Sequence, residues 1–266
     1  MNGDLNGALR NACRLGSRAL PLVVWAVLLV GGSTDGGTLY WNMNDLTAPT
    51  SNTVGSLTVS AISQGNTTTT GTSGQSVSSG YSFLLSGSTT TASGSNNLNF
   101  SAKPGVLDTG SSSFLALTLT PATGYSGTVT AIGFGSRSTP SGPTTLSLRS
   151  SGDGYATDVA SFSALTNGTW AYFTNSFSTS VSISSSSPLT LRLYGSGAST
   201  ATAGTWRIDD LQLDVVVVPE PAAIVLGMLA VAGVTIRGRR QGRWRETRVT
   251  PCTAHEPVSR SSNCSS

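Results

Sequence analysis

The chain has 266 residues, of which 43 are serine and 36 are threonine, while only 10% are charged. This composition excludes a coiled coil or another long-helix protein, which would be rich in Ala, Glu, Lys and Leu. The formal net charge is +3, but the cations gather at the two ends of the chain. Residues 38–218 contain five Lys or Arg and seven Asp, so we do not expect this middle region to bind nucleic acid.

The middle region also lacks the residues of most catalytic and metal sites. The single histidine, His255, falls in the last fifteen residues with Cys252 and Cys264, and Cys13 lies near the start. Zinc sites, Ser-His-Asp triads and Cys-His pairs are therefore excluded from residues 38–218. Because only aspartates remain for acid–base chemistry, we predict that the protein is not an enzyme. An Asp-dependent glycosidase is the catalytic alternative, and it requires two carboxyl groups about 5–9.5 Å apart.

Residues 1–32 have the organisation of a secretory signal peptide. Three arginines within residues 1–18 precede an uncharged, apolar run at 19–30, and small residues follow that run. Twelve helical residues extend only about 18 Å, which is short for a membrane span. We predict that this segment directs export and is cleaved before Ser33. A buried helix or a retained membrane anchor is the alternative.

A second apolar segment, without charge, spans residues 222–236. Six residues flank it, three on each side: Pro219, Glu220, Pro221, Arg237, Arg239 and Arg240. The arginine cluster favours a cytoplasmic location for this end, while the amino end is exported. The sequence therefore predicts a single transmembrane helix that anchors residues 38–218 on the outside.

This arrangement resembles the PEP-CTERM sorting signal of bacterial surface proteins that are handled by exosortase. The resemblance covers residues 219–240, which hold the Pro-Glu-Pro motif, the helix and the basic stop in that order. It implies recognition by exosortase in the membrane, processing near the motif, and delivery of the exported domain to the cell envelope or to secreted exopolysaccharide. The chain departs from the family because it continues after the arginine cluster. Residues 241–266 are polar and have no apolar period, which predicts disorder.

Between the two ends, apolar stretches alternate with clusters of Gly, Ser, Asn and Pro about every ten residues. Residues 115–119, 146–148 and 189–193 show the period-two alternation of strands, and no segment has a helical period. We predict an all-β domain at 38–218, an antiparallel, jelly-roll-like β-sandwich. Ten strands are predicted, at 54–60, 80–86, 113–120, 127–134, 144–149, 157–162, 169–174, 179–184, 188–194 and 204–216.

Two segments, residues 63–80 and 86–97, are of low complexity and nearly lack large apolar side chains. We predict that they are loops of the sandwich.

The last predicted strand changes face within its length. Apolar residues occupy even positions up to Ile208 and odd positions from Leu211 onward, which predicts a β-bulge at Asp209 and Asp210. Two adjacent carboxylates at a bulge suit a structural Ca²⁺ ion, and Asp45 would join them if the first and last strands pair. The alternative is that these aspartates only accept hydrogen bonds from amides of the bulge or a turn.

Residues 204–214 resemble the closing strand of jelly-roll modules, among them many carbohydrate-binding modules. Sugar binding generally uses exposed aromatic rings beside polar groups. Tyr125 and Tyr155 lie among glycine and polar residues and are the candidate platforms, whereas Trp170 and Tyr172 share one strand face and are predicted to pack in the core.

These features predict an exported structural or adhesive protein of the cell envelope or exopolysaccharide matrix, held first in the membrane. Its expected partners are exosortase, the membrane and extracellular polysaccharide. A dedicated carbohydrate-binding module with a defined cleft is the alternative. No cofactor is required beyond the candidate Ca²⁺.

Overall fold

A computed structural model gives the fold of residues 34–69, 71–73, 77–92, 94, 96–164, 166–200 and 204–220. Within these ranges the chain is all-β, with antiparallel sheets and no α-helix. Consequently, no helix of this part is long and apolar enough to cross a membrane. The predicted signal peptide, the segment 222–236, the arginine cluster and the tail lie outside the described residues.

The described ranges hold fifteen strands and one short 3₁₀ turn at Ser151–Asp153. In chain order the strands are β1 (Asp35–Trp41), β2 (Ser51–Asn52), β3 (Leu57–Val59), β4 (Ser63–Gly65), β5 (Thr72–Ser73), β6 (Ser82–Leu85), β7 (Ser88–Thr91), β8 (Asn97–Ser101), β9 (Phe114–Pro121), β10 (Tyr125–Ser138), β11 (Thr145–Ser150), β12 (Ala160–Ser163), β13 (Trp170–Ser184), β14 (Leu189–Ser196) and β15 (Thr205–Pro219).

Two sheets form the layers of a β-sandwich. The seven-stranded sheet has the order β13-β10-β15-β1-β2, and β8 pairs with the first part of β15 and with β5. The six-stranded sheet has the order β12-β11-β14-β9-β3, and β4 also pairs with β9. The hairpin β6–β7 forms a small sheet of its own. The first long strand, β1, therefore pairs with the last, β15, and ties the two ends of the domain together.

The core lies between the two sheets and is built from alternate residues of the facing strands. Leu117 and Leu191 come from the six-stranded sheet, while Ile132 and Leu213 come from the seven-stranded sheet. The gap that these layers leave has a volume of only about 10 Å³. Since no cysteine occurs in residues 38–218, stability depends on this packing, and truncating one such leucine to alanine costs about 2–5 kcal/mol.

The predicted β-bulge in the last strand is confirmed. Asp210 and Leu211 of β15 lie together opposite Phe134 of β10. Asp210 has a left-handed φ of 46°, a conformation that Asp and Asn adopt more readily than most residues. Because of the extra residue, Ile208 and Leu211 both point into the core despite their opposite parity.

Each predicted strand overlaps a strand of the structure. The segments predicted at 169–174 and 179–184 belong to one strand, β13, in which residues 177–180 lie opposite Thr130 alone.

The two segments predicted as loops, 63–80 and 86–97, contain the short strands β4, β5 and β7, so that prediction was wrong in part. Each of these short strands pairs with a neighbouring strand through backbone hydrogen bonds. Such bonds require no large apolar side chains.

Candidate functional site

The face of the seven-stranded sheet that points away from the core, hereafter the outer face, carries an unusual central strand. Ile132 and Phe134 of β10 point into the core, so Ala131, Gly133 and Gly135 occupy the outward positions between them. Small side chains along a central strand leave a depression between its neighbours. The larger residues of β13 and β15 form the sides of this depression.

A groove of about 220 Å³ occupies this depression. Thr174 of β13 and Gln212 of β15 lie on either side of Gly133, and Asp214 extends the β15 side. Tyr172 also lines the groove, hereafter the polar groove. Its volume is below the range of about 300–1,000 Å³ that is usual for drug-sized ligands, so it has room only for a small chemical group.

Two polar groups that face the polar groove lack a protein partner. Gln212 Nε2 is buried and makes no hydrogen bond to any described residue. The Tyr172 hydroxyl makes none to this part of the chain either. Burial raises the pKa of Tyr172, so its hydroxyl stays protonated at physiological pH. Because buried polar groups are nearly always hydrogen-bonded, the Gln212 amide is available to pair with a polar group that enters the groove, and the Tyr172 hydroxyl lies in the same groove.

An aromatic cluster on the outer face fixes the position of Tyr172. The Phe83 ring of the β6–β7 hairpin stacks on the Tyr172 ring with centroids 5.2 Å apart. The Tyr81 ring also stacks on the Tyr172 ring, with centroids 5.6 Å apart. Trp170 lies 6.3 Å from Tyr81. Trp170 and Tyr172 were predicted to pack in the sandwich core. They pack instead in this second cluster, because the hairpin covers the outer face.

Glycine allows the tyrosines to approach the sheet closely. A Cβ atom at Gly133 would overlap the hydroxyl of Tyr172, and one at Gly135 would overlap the hydroxyl of Tyr81. Tyr81 and Tyr172 can therefore lie over β10 only because these positions have no side chain.

Beneath the hairpin, Asp210 joins three parts of the chain. Its Oδ1 accepts a hydrogen bond from the hydroxyl of Tyr40 on β1 at 2.6 Å, and its Oδ2 accepts one from Tyr81 at 2.7 Å. Hydrogen bonds to a charged acceptor are stronger than neutral ones, and these two are buried. Desolvation is the largest cause that raises the pKa of both tyrosines, so they remain donors.

Asp209 is fully buried beside Asp210 and accepts the backbone N–H of Asp210 at 2.9 Å through Oδ1. Burial raises the pKa of Asp209 to about 7, while the neighbouring Ser78 hydroxyl lowers it. Asp209 Oδ2 is buried and makes no hydrogen bond within the part of the chain that the structure describes. This agrees with a carboxyl group that is protonated below neutral pH.

The candidate Ca²⁺ site at Asp45, Asp209 and Asp210 stays a prediction. The first and last strands do pair, but Asp45 accepts hydrogen bonds from the backbone and hydroxyl of Thr47 in its own turn. The described ranges contain no group of three His, Cys, Asp or Glu residues that could hold a metal ion. Asp209 and Asp210 are both buried.

Tyr125 and Tyr155 lie away from the polar groove. Tyr125 begins β10 and packs against the edge of the main core. Tyr155 has a left-handed φ of 64°, and the guanidinium of Arg192 lies 4.1 Å from its ring centroid on the outside of the six-stranded sheet. Both are half-buried, and their role in sugar binding stays a prediction.

The start of the predicted sorting signal falls within the described residues. Pro219 is the last residue of β15, opposite Tyr125, and the backbone N–H of Glu220 donates to the carbonyl of Gly124 at 2.8 Å. Pro221 and the three arginines lie outside the described ranges.

No protein-family model matches the chain, and no curated protein matches its sequence. Several solved structures resemble parts of the fold. The K1 cleaved adhesin domain of Lys-gingipain from Porphyromonas gingivalis W83 has 11% identity and a TM-score of 0.34, and the match covers 67% of this chain and 98% of that one.

The enzymatically active domain of tailspike protein 4 from bacteriophage CBA120 has 15% identity and a TM-score of 0.31, over 60% of this chain and 19% of that one. TmCBM61, solved with β-1,4-galactotriose, has 15% identity and a TM-score of 0.24, over 46% and 72% of the two chains. These likenesses concern the β-fold alone, and nothing about function follows from them.

Proposed function

We propose that this chain is an exported protein of the bacterial envelope or exopolysaccharide matrix that binds polysaccharide in the polar groove. Binding serves adhesion or matrix assembly and requires no catalytic residue. The PEP-CTERM resemblance supplies the route: export by the signal peptide, retention by the helix at 222–236, and recognition by exosortase at residues 219–240. The strand order β1-β15-β10-β13 facing β9-β14-β11-β12 supports the jelly-roll-like prediction for the exported domain.

The observation that carries the proposal is the buried, unsatisfied amide of Gln212 beside the Tyr172 hydroxyl in the polar groove. Gln212 Nε2 offers a donor, and the Tyr172 hydroxyl offers both a donor and an acceptor. Thr174 and Asp214 add a hydroxyl and a carboxylate to the same walls. Sugars present closely spaced hydroxyls, so a trough with a glycine floor and polar walls suits a sugar ring that enters from the solvent side.

A glycan panel with the full chain tests this function. Gln212→Leu keeps the size of the side chain but removes its donor, and Tyr172→Phe removes only the hydroxyl. Each lost hydrogen bond contributes about 0.5–1.5 kcal/mol, so we expect each variant to bind about two- to tenfold more weakly.

Tyr155→Phe and Tyr125→Phe are the matched controls, since they remove the same hydroxyl outside the polar groove. We expect them to bind like the wild type. If Tyr155→Phe abolishes binding while Tyr172→Phe retains it, the site lies on the six-stranded sheet and the proposal is wrong.

A further inference from the structure

One wall of the polar groove holds an amide and a carboxylate side by side. Gln212 of β15 pairs with Gly133 of β10, and Asp214 pairs with Ala131 in the next outward row. Both residues of β10 are small, so the side chains of Gln212 and Asp214 line the same depression. They are alternate residues of one strand, and their Cα atoms therefore lie about 7 Å apart on one face. A single ligand can contact both.

The carboxylate of Asp214 gives this wall a negative charge that solvent can reach, because the residue is exposed. Its Oδ1 accepts a hydrogen bond from the hydroxyl of Thr38 at 2.7 Å, and this neutral donor does not cancel the charge. Within the described ranges the one ion pair joins Arg149 of β11 to Asp158. No lysine or arginine of these ranges lines the polar groove. Asp214 is therefore available to pair with a positive group of a ligand.

Negative charge also acts on the Tyr172 hydroxyl, at the end of the groove that the hairpin covers. Burial raises the pKa of Tyr172, and the carboxylates of Asp210 and Asp214 raise it further. Asp210 acts from beneath the hairpin and Asp214 from the wall of the groove. An anionic group, such as the carboxylate of a uronate, would be repelled at this position, whereas a cationic group would be stabilised.

We propose that the polar groove binds the ammonium group of an amino sugar, with the ammonium on Asp214 and an adjacent ring hydroxyl on the Gln212 amide. This inference rests on the proposed function and adds its substrate class, a polysaccharide with 2-amino-2-deoxy units. The groove of about 220 Å³ has room for a group as small as an ammonium. The three N–H donors of that group match the carboxylate of Asp214 and the hydroxyl oxygen of Tyr172, both of which accept hydrogen bonds.

The Gln212 amide is the reason that an amino sugar fits the groove better than an isolated cation. Gln212 Nε2 is buried and makes no hydrogen bond to any residue that the structure describes. It is a donor and requires an acceptor, which an ammonium group is not. In a 2-amino sugar the neighbouring carbon carries a hydroxyl, and the oxygen of that hydroxyl accepts the amide N–H. A cation without such a hydroxyl would leave the buried amide unpaired.

Three β-1,4-linked hexasaccharides test the inference, because they differ only in the group on the second carbon of each ring. The glucosamine oligomer carries an ammonium there, the glucose oligomer a hydroxyl, and the N-acetylglucosamine oligomer a neutral acetamide. Each is titrated into the full chain at a mildly acidic pH that keeps the amines charged. We expect the glucosamine oligomer to bind about three- to tenfold more tightly than the other two.

Asp214→Asn removes the charge and keeps an acceptor for the Thr38 hydroxyl, so we expect it to fold normally. It should lose about three- to tenfold for the glucosamine oligomer and little for the glucose oligomer. Gln212→Leu should weaken both oligomers alike, because both carry the ring hydroxyl. The matched control is Asp108→Asn, which removes an exposed carboxylate that is hydrogen-bonded within its own turn. It should bind all three oligomers like the wild type.

Equal affinity for the three oligomers, or a preference for glucosamine that Asp214→Asn leaves unchanged, would overturn this inference. If in that case Gln212→Leu still weakened the glucose oligomer, the proposed function would stand without it. Hexalysine offers ammonium groups without ring hydroxyls, and its displacement of the glucosamine oligomer at equal amine concentration would assign the groove to a basic peptide instead. Absence of binding to all three oligomers overturns the inference as well, and the wider glycan panel then decides the proposed function separately.

Discussion

At the scale of single residues, Asp210 links elements that are distant in sequence. Its carboxylate accepts one hydroxyl from Tyr40 on β1 and another from Tyr81 just before the hairpin. The bulge that turns Asp210 outward also keeps Ile208 and Leu211 in the core. One extra residue in β15 thus serves both faces of the sheet.

Tyr81→Phe tests this link. The change keeps the ring and removes one donor to a buried carboxylate, so we expect the free energy of unfolding to fall by about 1–3 kcal/mol in urea titrations. Tyr172→Phe is the matched control, because its hydroxyl makes no hydrogen bond to any described residue and its loss should cost little stability. Equal stabilities for the two variants would contradict the structural role given to Asp210.

Asp209 gives stability a distinctive pH dependence. Its pKa is raised by burial to about 7 in the folded state, above the ordinary value of 3.8. The folded state therefore disfavours the ionised carboxylate of Asp209. Ionisation of this group lowers the free energy of unfolding as the pH rises from about 4 to about 7. Asp45, Asp108 and Asp153 have pKa values lowered by hydrogen bonds in their own turns, so their contributions are lost only at more acidic pH.

Asp209→Asn should flatten that decline, because an amide does not titrate. Thermal melts at pH 4.5, 6.0 and 7.5 measure this change of stability with pH. Asp108→Asn is the control, and its stability should change with pH across this range as that of the wild type does. A slope for Asp209→Asn identical to that of the wild type would show that another group titrates.

At the scale of the element, β10 is built to receive the hairpin. Gly135→Ala would place a methyl group against the Tyr81 hydroxyl and push the hairpin away from the sheet. Overpacking of this kind costs about 1–3 kcal/mol of unfolding free energy. We also expect faster proteolysis within residues 77–92, because the displaced hairpin loses its contacts with the outer face.

The control for this change is Gly36→Ala on β1, where the nearest side-chain atom, Val216 Cγ2, lies 3.7 Å from the added methyl. That variant should stay within about 0.5 kcal/mol of the wild type. If both alanines were tolerated equally, the close packing of the hairpin on β10 would be wrong.

Side-chain alternation predicted most of the long strands but not the polar groove. The parity change after Ile208 revealed the bulge, because the apolar residues before and after it must both face the core. Leu98 and Phe100 carried the same signal for β8, but their asparagine neighbours and the low-complexity context concealed it. Gln212 and Thr174 look like ordinary solvent-facing residues. Only the register that places Gly133 between them makes them the walls of a groove.

At the scale of the whole molecule, the sandwich continues directly into the predicted sorting signal. Strand β15 ends at Pro219, and the Glu220 amide is still bonded to Gly124. The first two residues of that predicted signal, Pro219 and Glu220, therefore belong to the described sandwich.

Replacing Arg237, Arg239 and Arg240 together with glutamine tests that route. We expect the wild type in the envelope or matrix fraction and the variant retained as an unprocessed species, because the basic stop is lost. The control replaces Arg243, Arg245 and Arg248 in the tail and should be sorted normally. If the first variant reached the outside as efficiently as the wild type, the sorting proposal would fail.

The most direct measurement of the central claim is the position of a bound sugar on the domain. We would titrate the ¹⁵N-labelled full chain with the best oligosaccharide from the glycan panel and follow amide shifts by NMR. The account predicts the largest shifts at the Gln212 side-chain amide and at the backbone of Gly133, with Arg192 and Tyr155 unaffected. Shifts confined to Arg192 and Tyr155, on the six-stranded sheet, would contradict it.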